Sequence, residues 1–179
     1  SFSFKSTTRA KKHKNMPPRK MSTMESAGLT HAYQMTIHTH VIAGDTAAVE
    51  KLLLEGVDVN IKAHFEKTPL HTAAEHGRKD VAKLLIKHGA SIEAYDQPAG
   101  YTPLSLAVRE RHGNVAKVLI KHGANVNTQT MDSYGAYAPL HTAAGNGQED
   151  IVKLLLKHGA DIEAEDENNG STPLHQAAG

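Results

Sequence analysis

Thirteen histidines and nineteen carboxylates are the residues of this 179-residue chain that could do chemistry, by holding a metal or by moving protons. Cysteine is absent, which excludes disulfides, thiolate zinc sites and thiol nucleophiles. The histidines do not converge. Seven of them, His38, His71, His88, His122, His141, His158 and His175, recur at repeating positions, whereas zinc needs several ligands gathered at defined spacing. His38 and His40 lie two apart, and such residues do not face each other on a helix. Adjacent acids such as Glu165 and Asp166 read as a solvated loop. No phosphate-binding Gly-x-x-x-x-Gly-Lys, dinucleotide Gly-x-Gly-x-x-Gly, His-Glu-x-x-His or Gly-x-Ser-x-Gly is found. The expectation is no catalytic residue, no metal and no cofactor.

What must be positioned is therefore a surface, and the elements that position it repeat. Thr68-Pro69-Leu70-His71 returns as Thr102-Pro103-Leu104-Ser105, Ala138-Pro139-Leu140-His141 and Thr172-Pro173-Leu174-His175. A second marker closes each complete unit: Lys87-His88-Gly89, Lys121-His122-Gly123 and Lys157-His158-Gly159. A degenerate unit precedes them, giving units 35–67, 68–101, 102–137 and 138–171 and a partial unit 172–179. Within a unit, Thr68 is suited to cap a helix and Pro69 to its first position, where a missing N–H is harmless. A second helix follows, with Val81, Ala82, Leu84, Leu85 and Ile86 on its apolar side, and Gly89 stops it in the left-handed conformation. Two such short helices cannot bury their apolar residues alone, so neighbouring units must supply the core. The loops between units are too short and polar for a further helix and suit projecting β-turns.

Thr68 to Ala90 and Ala138 to Ala160, with Thr-Pro-Leu-His-x-Ala-Ala, then Gly, then Val-x-x-Leu-Leu, then Gly-Ala, resemble ankyrin repeats. The resemblance covers residues 35–179. It implies an all-α solenoid of stacked helix-turn-helix units with projecting β-hairpin loops, and recognition of partner proteins through the concave face of hairpin tips and inner helices. Mapped onto this chain, the partner-binding residues are Phe65, His76, Tyr101, Arg109, Glu110, Tyr134, Tyr137 and Asn146. Tyrosine and arginine are enriched at binding hot spots, which favours Tyr101, Arg109 and Tyr137 as anchors, with Glu75 and Glu110 adding charge selectivity. Asn60 and Asn127 resemble asparagines that are hydroxylated in some ankyrin proteins. The chain also departs from the pattern. Arg111 stands where other units have Gly77 and Gly147, and Ser105 replaces the motif histidine, so an altered inner turn is expected in unit three; the loop from Thr128 to Tyr137 is also longer than its neighbours.

Charge divides the chain. Residues 1–34 hold seven Lys or Arg and one acid, Glu25; the remainder holds 13 bases and 18 acids, a net of −5. Residues 1–34 read as a basic, disordered tail, in which Arg9-Ala10-Lys11-Lys12-His13-Lys14 with Pro17-Pro18-Arg19-Lys20 resembles a nuclear-localisation or nucleic-acid patch. With no secretory signal or membrane-length apolar run, the expected setting is intracellular, cytoplasmic or nuclear. The chain ends within the first helix of a unit and reads as a fragment. Two functions are expected from this pattern: a non-catalytic, monomeric protein-interaction module, or the targeting region of a larger enzyme or channel.

Overall fold

A computed structural model describes residues 23–132, 135–167 and 170–178, with side chains from residue 32 onward except those of 132–136. The basic stretch of residues 1–22, Tyr134, Asn168 and Asn169 lie outside the described residues. An inner layer is formed by α1 (Thr23–Ala43), α3 (Pro69–Glu75), α5 (Pro103–Arg109), α7 (Pro139–Gly145) and α9 (Pro173–Ala178). An outer layer is formed by α2 (Thr46–Leu54), α4 (Lys79–Lys87), α6 (Gly113–Lys121) and α8 (Glu149–Lys157). Each inner helix packs on the next inner helix, and each outer helix on the next outer one. The solenoid expected from the repeat is therefore the observed architecture.

The motif residues set the helix starts. Pro69, Pro103 and Pro139 occupy first-turn positions, preceded by extended residues Thr68, Thr102 and Ala138. Unit one has Met35-Thr36 in place of this signal, and the structure differs there accordingly. α1 runs without a break from Thr23, so the boundary drawn between residues 34 and 35 falls inside a helix. No proline occurs between Thr23 and Ala43, and nothing else in that stretch starts a new helix.

The core lies between the layers and repeats with the units: Val41, Val49 and Leu52; Leu70, Val81 and Leu85; Leu104, Val115 and Leu119; Leu140, Ile151 and Leu155. The outer-helix leucines are not equivalent. Leu85 and Leu155 are fully buried, whereas Leu84 and Ile86 only pack against the core from its edge. The register of a nine-residue helix decides this, because adjacent positions are turned by about 100°.

Between the paired helices the chain must pass through the left-handed region. Gly77 (φ 68°) and Gly147 (φ 63°) do so, and Arg111 does it at φ 62° despite its side chain. A Cβ on Gly77 would stand 2.7 Å from His112 Nδ1, so glycine is required there on space as well as on conformation. The Arg111 guanidinium donates to the Asn146 carbonyl of the following unit, which offsets its strained backbone. The substitution expected to disturb unit three thus adds a tie between units.

Leu85→Ala and Leu155→Ala should each destabilise the chain by about 2–5 kcal/mol, the range for a buried Leu truncated in a packed core. Leu84→Ala, at the core's edge, should lower the melting temperature less; thermal melting by circular dichroism checks the order.

Candidate recognition face

The hairpin loops are held by side chains that reach from one unit to the next. His71 is the clearest case. Its Nδ1 lies 3.2 Å from the Thr68 amide nitrogen and 2.8 Å from Thr68 Oγ1. An amide N–H can only donate, so Nδ1 accepts and Nε2 carries the proton. Nε2–H donates to the Tyr101 carbonyl at 3.0 Å, fixing the start of the next unit. Burial pushes this imidazole down from its ordinary 6.5 to about 4. His38 joins the network from the preceding unit, with Nδ1 2.7 Å from Thr72 Oγ1, and burial lowers its pKa as well. His141 repeats the outer half of the bridge, Nε2 donating to the Ser171 carbonyl at 3.1 Å. Its Nδ1 has no hydrogen-bond partner, because Ala138 stands where Thr68, Thr102 and Thr172 stand in their units.

In unit three, Ser105 keeps the cap: its Oγ accepts from the Thr102 amide at 2.8 Å, and Thr102 Oγ1 accepts from the Ser105 amide at 3.2 Å. The inner turn is therefore intact, contrary to expectation. What serine is too short to do is reach the next loop. There the longer connection folds into an antiparallel hairpin, β1 (Thr130–Asp132) with β2 (Gly135–Tyr137), and Thr130 Oγ1 donates to the Tyr137 carbonyl at 3.2 Å.

A second series of ties was not legible in the sequence. The residue before each of α4, α6 and α8 donates back to an inner-helix carbonyl of the preceding unit. Arg78 Nε reaches Ile42 at 2.7 Å, His112 Nε2 reaches Glu75 at 3.0 Å, and Gln148 Nε2 reaches Val108 at 2.7 Å. Three unlike residues share one role, so their shared position has no motif to reveal it. Asn60 and Asn127 also span units: Asn60 Oδ1 accepts from the Ser91 amide at 2.8 Å, and Asn127 Oδ1 from the Asp161 amide at 2.9 Å.

These ties place the hairpin tips side by side, linked by backbone bonds from the Gln97 amide to the Phe65 carbonyl (2.8 Å) and from the Met131 amide to the Ala99 carbonyl (2.9 Å). Phe65 is 59% exposed, its ring edge-on to His64, with its backbone in the left-handed region at φ 59° and Glu66 following at φ 57°. Left-handed backbone at a bulky residue is unfavourable and concentrates at functional sites. Tyr95 and Met131 are likewise more than half exposed. Met131 is not aromatic, so the tyrosine and phenylalanine signal in the loops does not mark it.

The expected anchors divide. Tyr101 is a correction: it is only 9% exposed, with the Arg109 guanidinium 4.3 Å from its ring centroid and its amide donating to Asp96 Oδ1 at 2.7 Å. It packs the unit junction and presents little surface to a partner. Arg109, half-buried over that ring, also pairs with Glu110 at 2.9 Å. Tyr137 is half-buried, edge-on to His141. His76, Glu110 and Asn146 follow the C-termini of α3, α5 and α7 in turn, His76 and Glu110 being exposed and Asn146 half-buried. Glu75, expected to offer free charge, is bound to Lys67 at 2.7 Å.

Paired helices stacked in two layers, joined by inter-unit loops of which one among the described residues is a two-stranded hairpin and one a single 3-10 turn at His64–Glu66, define a repeat solenoid. The sequence family described as ankyrin repeats (3 copies) matches residues 37–130 and 131–179, and the chain belongs to that family. It is similar to the serine/threonine-protein kinase VIK of Arabidopsis thaliana, 38% identical over 74 residues, 41% of this chain and 16% of that protein. It is also similar to a putative ankyrin repeat protein of fowlpox virus, 38% identical over 34% of this chain and 9% of the relative. A third relative is the potassium channel KOR1 of rice, 42% identical over 33% of this chain and 7% of the relative. The chain thus spans a sixth or less of these relatives' lengths. Among the described residues no helix is long and apolar enough to cross a membrane.

The lowered imidazole pKa values carry a pH dependence. Below about pH 6.5 the unfolded chain binds a proton that folded His71 refuses until about pH 4, so stability falls as the pH drops through that window. His71 alone should account for a loss on the order of 3 kcal/mol. Thermal melts between pH 7 and pH 4 should show it, with a shallower slope in His71→Gln.

Proposed function

We propose that this chain is a protein-recognition module whose partner lies across the hairpin tips and the exposed C-terminal ends of the inner helices. The observation that carries this reading is Phe65, a large apolar side chain held outward on a left-handed backbone. A residue of this kind contributes nothing to the core, and covering it with a partner would remove apolar surface from water. Tyr95 and Met131 extend the apolar line, and His76, Arg109, Glu110 and Asn146 form its polar margin. Such a line, apolar at its centre and polar at its rim, has the make-up of protein interfaces. Tyr137, which ends β2, belongs to the same proposal, and so does Tyr134. Tyr101 serves it indirectly by seating Arg109. The role is binding and not catalysis, with protein as the partner class.

The relatives favour one wider setting. A kinase and a channel each carry a matching segment within a much longer chain. In such a protein, the same surface would target or regulate an activity located in another domain.

Affinity enrichment of the full chain against its Phe65→Ala, Met131→Ala double variant tests the tips. The double variant should keep the wild-type circular dichroism and melting temperature and lose the captured protein. Tyr101→Ala should instead lower the melting temperature, because it empties a unit junction. Retention of the same captured protein by the folded double variant would remove the tips from the site.

A further inference from the structure

On the outer layer, away from the hairpins, α4 and α6 enclose a recess of about 270 Å³. Lys79 and Lys83 line it from α4, and Lys117 and Lys121 from α6, with Asn114, His122 and the buried Val118 between them. Each helix thus carries two lysines at i and i+4, a spacing that brings like charges within about 6 Å and is mildly destabilising. Neighbouring helices lie about 8–10 Å apart, so the four lysines line one shallow, half-open recess.

The rest of the chain makes this unusual. Residues 35–179 carry 13 bases against 18 acids, so a concentration of positive charge does not follow from composition. On α8, Lys153 is neutralised by Glu149 at 2.5 Å. At the recess only Lys83 has an acid, Asp80 at 3.3 Å. α6 carries no acid, and among the described residues Lys79, Lys117 and Lys121 are in no ion pair, although Lys117 is half-buried. His122 Nδ1, 2.8 Å from the Val118 carbonyl, donates to it and leaves Nε2 unbonded at the rim.

We propose that this recess binds a compact anion carrying several phosphates, either free or as a lipid headgroup. Lysine acts on phosphate as a point charge from any direction, whereas carboxylate recognition favours the fork of arginine, which the recess lacks. A nucleic-acid strand would call for a longer track with aromatic platforms. α4 and α6 contain no aromatic residue. The volume suits a single ring-sized ligand.

Titration calorimetry of the full chain with inositol hexakisphosphate tests the proposal. Binding should weaken about tenfold or more in Lys117→Gln, Lys121→Gln, with circular dichroism unchanged. It should change less than about twofold in Lys153→Gln, Lys157→Gln on α8 and in Lys11→Gln, Lys12→Gln, Lys14→Gln in the basic stretch. Vesicles of phosphatidylcholine containing phosphatidylinositol bisphosphate identify the source. Vesicle binding alongside soluble binding points to a lipid headgroup, and soluble binding alone to a free ligand; both leave the recess standing. The proposal is overturned if the soluble ligand does not bind, or if the folded α6 variant binds like the wild type. It is also overturned if either control variant loses as much, or if duplex DNA or polyglutamate binds more tightly.

Discussion

Neither helix of a seven- and nine-residue pair has enough apolar surface to close on the other, and every further feature of this molecule follows from that constraint. Leu70, Val81 and Leu85 are buried only because the neighbouring units lie against them. Free energy in such a stack resides at the junctions as much as in the units. Backbone groups at the junctions must find partners across them, since buried polar groups without bonds cost about 1–3 kcal/mol each. The bridge from Thr68 through His71 to Tyr101 meets this need, and so do the returns from Arg78, His112 and Gln148.

The junctions also set where the inter-unit loops project, and so shape the face proposed for recognition. A histidine that caps its own helix with one nitrogen and holds the next loop with the other determines where that loop projects. Where Ser105 gives up the outer half of this arrangement, the chain replaces it with a longer, internally bonded hairpin. Holding and display are thereby linked, and surfaces such as that of Phe65 can be exposed without loosening the body. The lysines of α4 and α6 line a recess on the outer layer, away from these loops.

Most of the architecture was legible because the local signals repeat and agree: Thr68-Pro69, Thr102-Pro103, Gly89, Gly123 and Gly159 mark the same boundaries in each unit. Legibility failed where a tertiary contact set the outcome. Tyr101 lies in a loop, and composition favours an interface role, but Arg109 one helix away covers it. Leu84 and Leu85 are equally apolar in sequence, and only the packing angle separates them. Arg111 replaces a turn glycine, and only its bond to the Asn146 carbonyl, a contact between units, offsets that. α1 began early because a missing proline is a weaker signal than a proline. Of the expected binding residues, those at helix ends and hairpin tips proved accessible or half-accessible, while Tyr134 lies outside the described residues.

The central functional claim is that recognition runs along the hairpin tips and that the outer helices are not part of the protein interface. Amide hydrogen exchange of the full chain, with and without the protein it captures, tests this most directly. Slowed exchange at residues 63–67, 95–99 and 130–137 and at the C-terminal ends of α3 and α5 is the predicted result. Slowed exchange confined to α2, α4, α6 and α8 would contradict it.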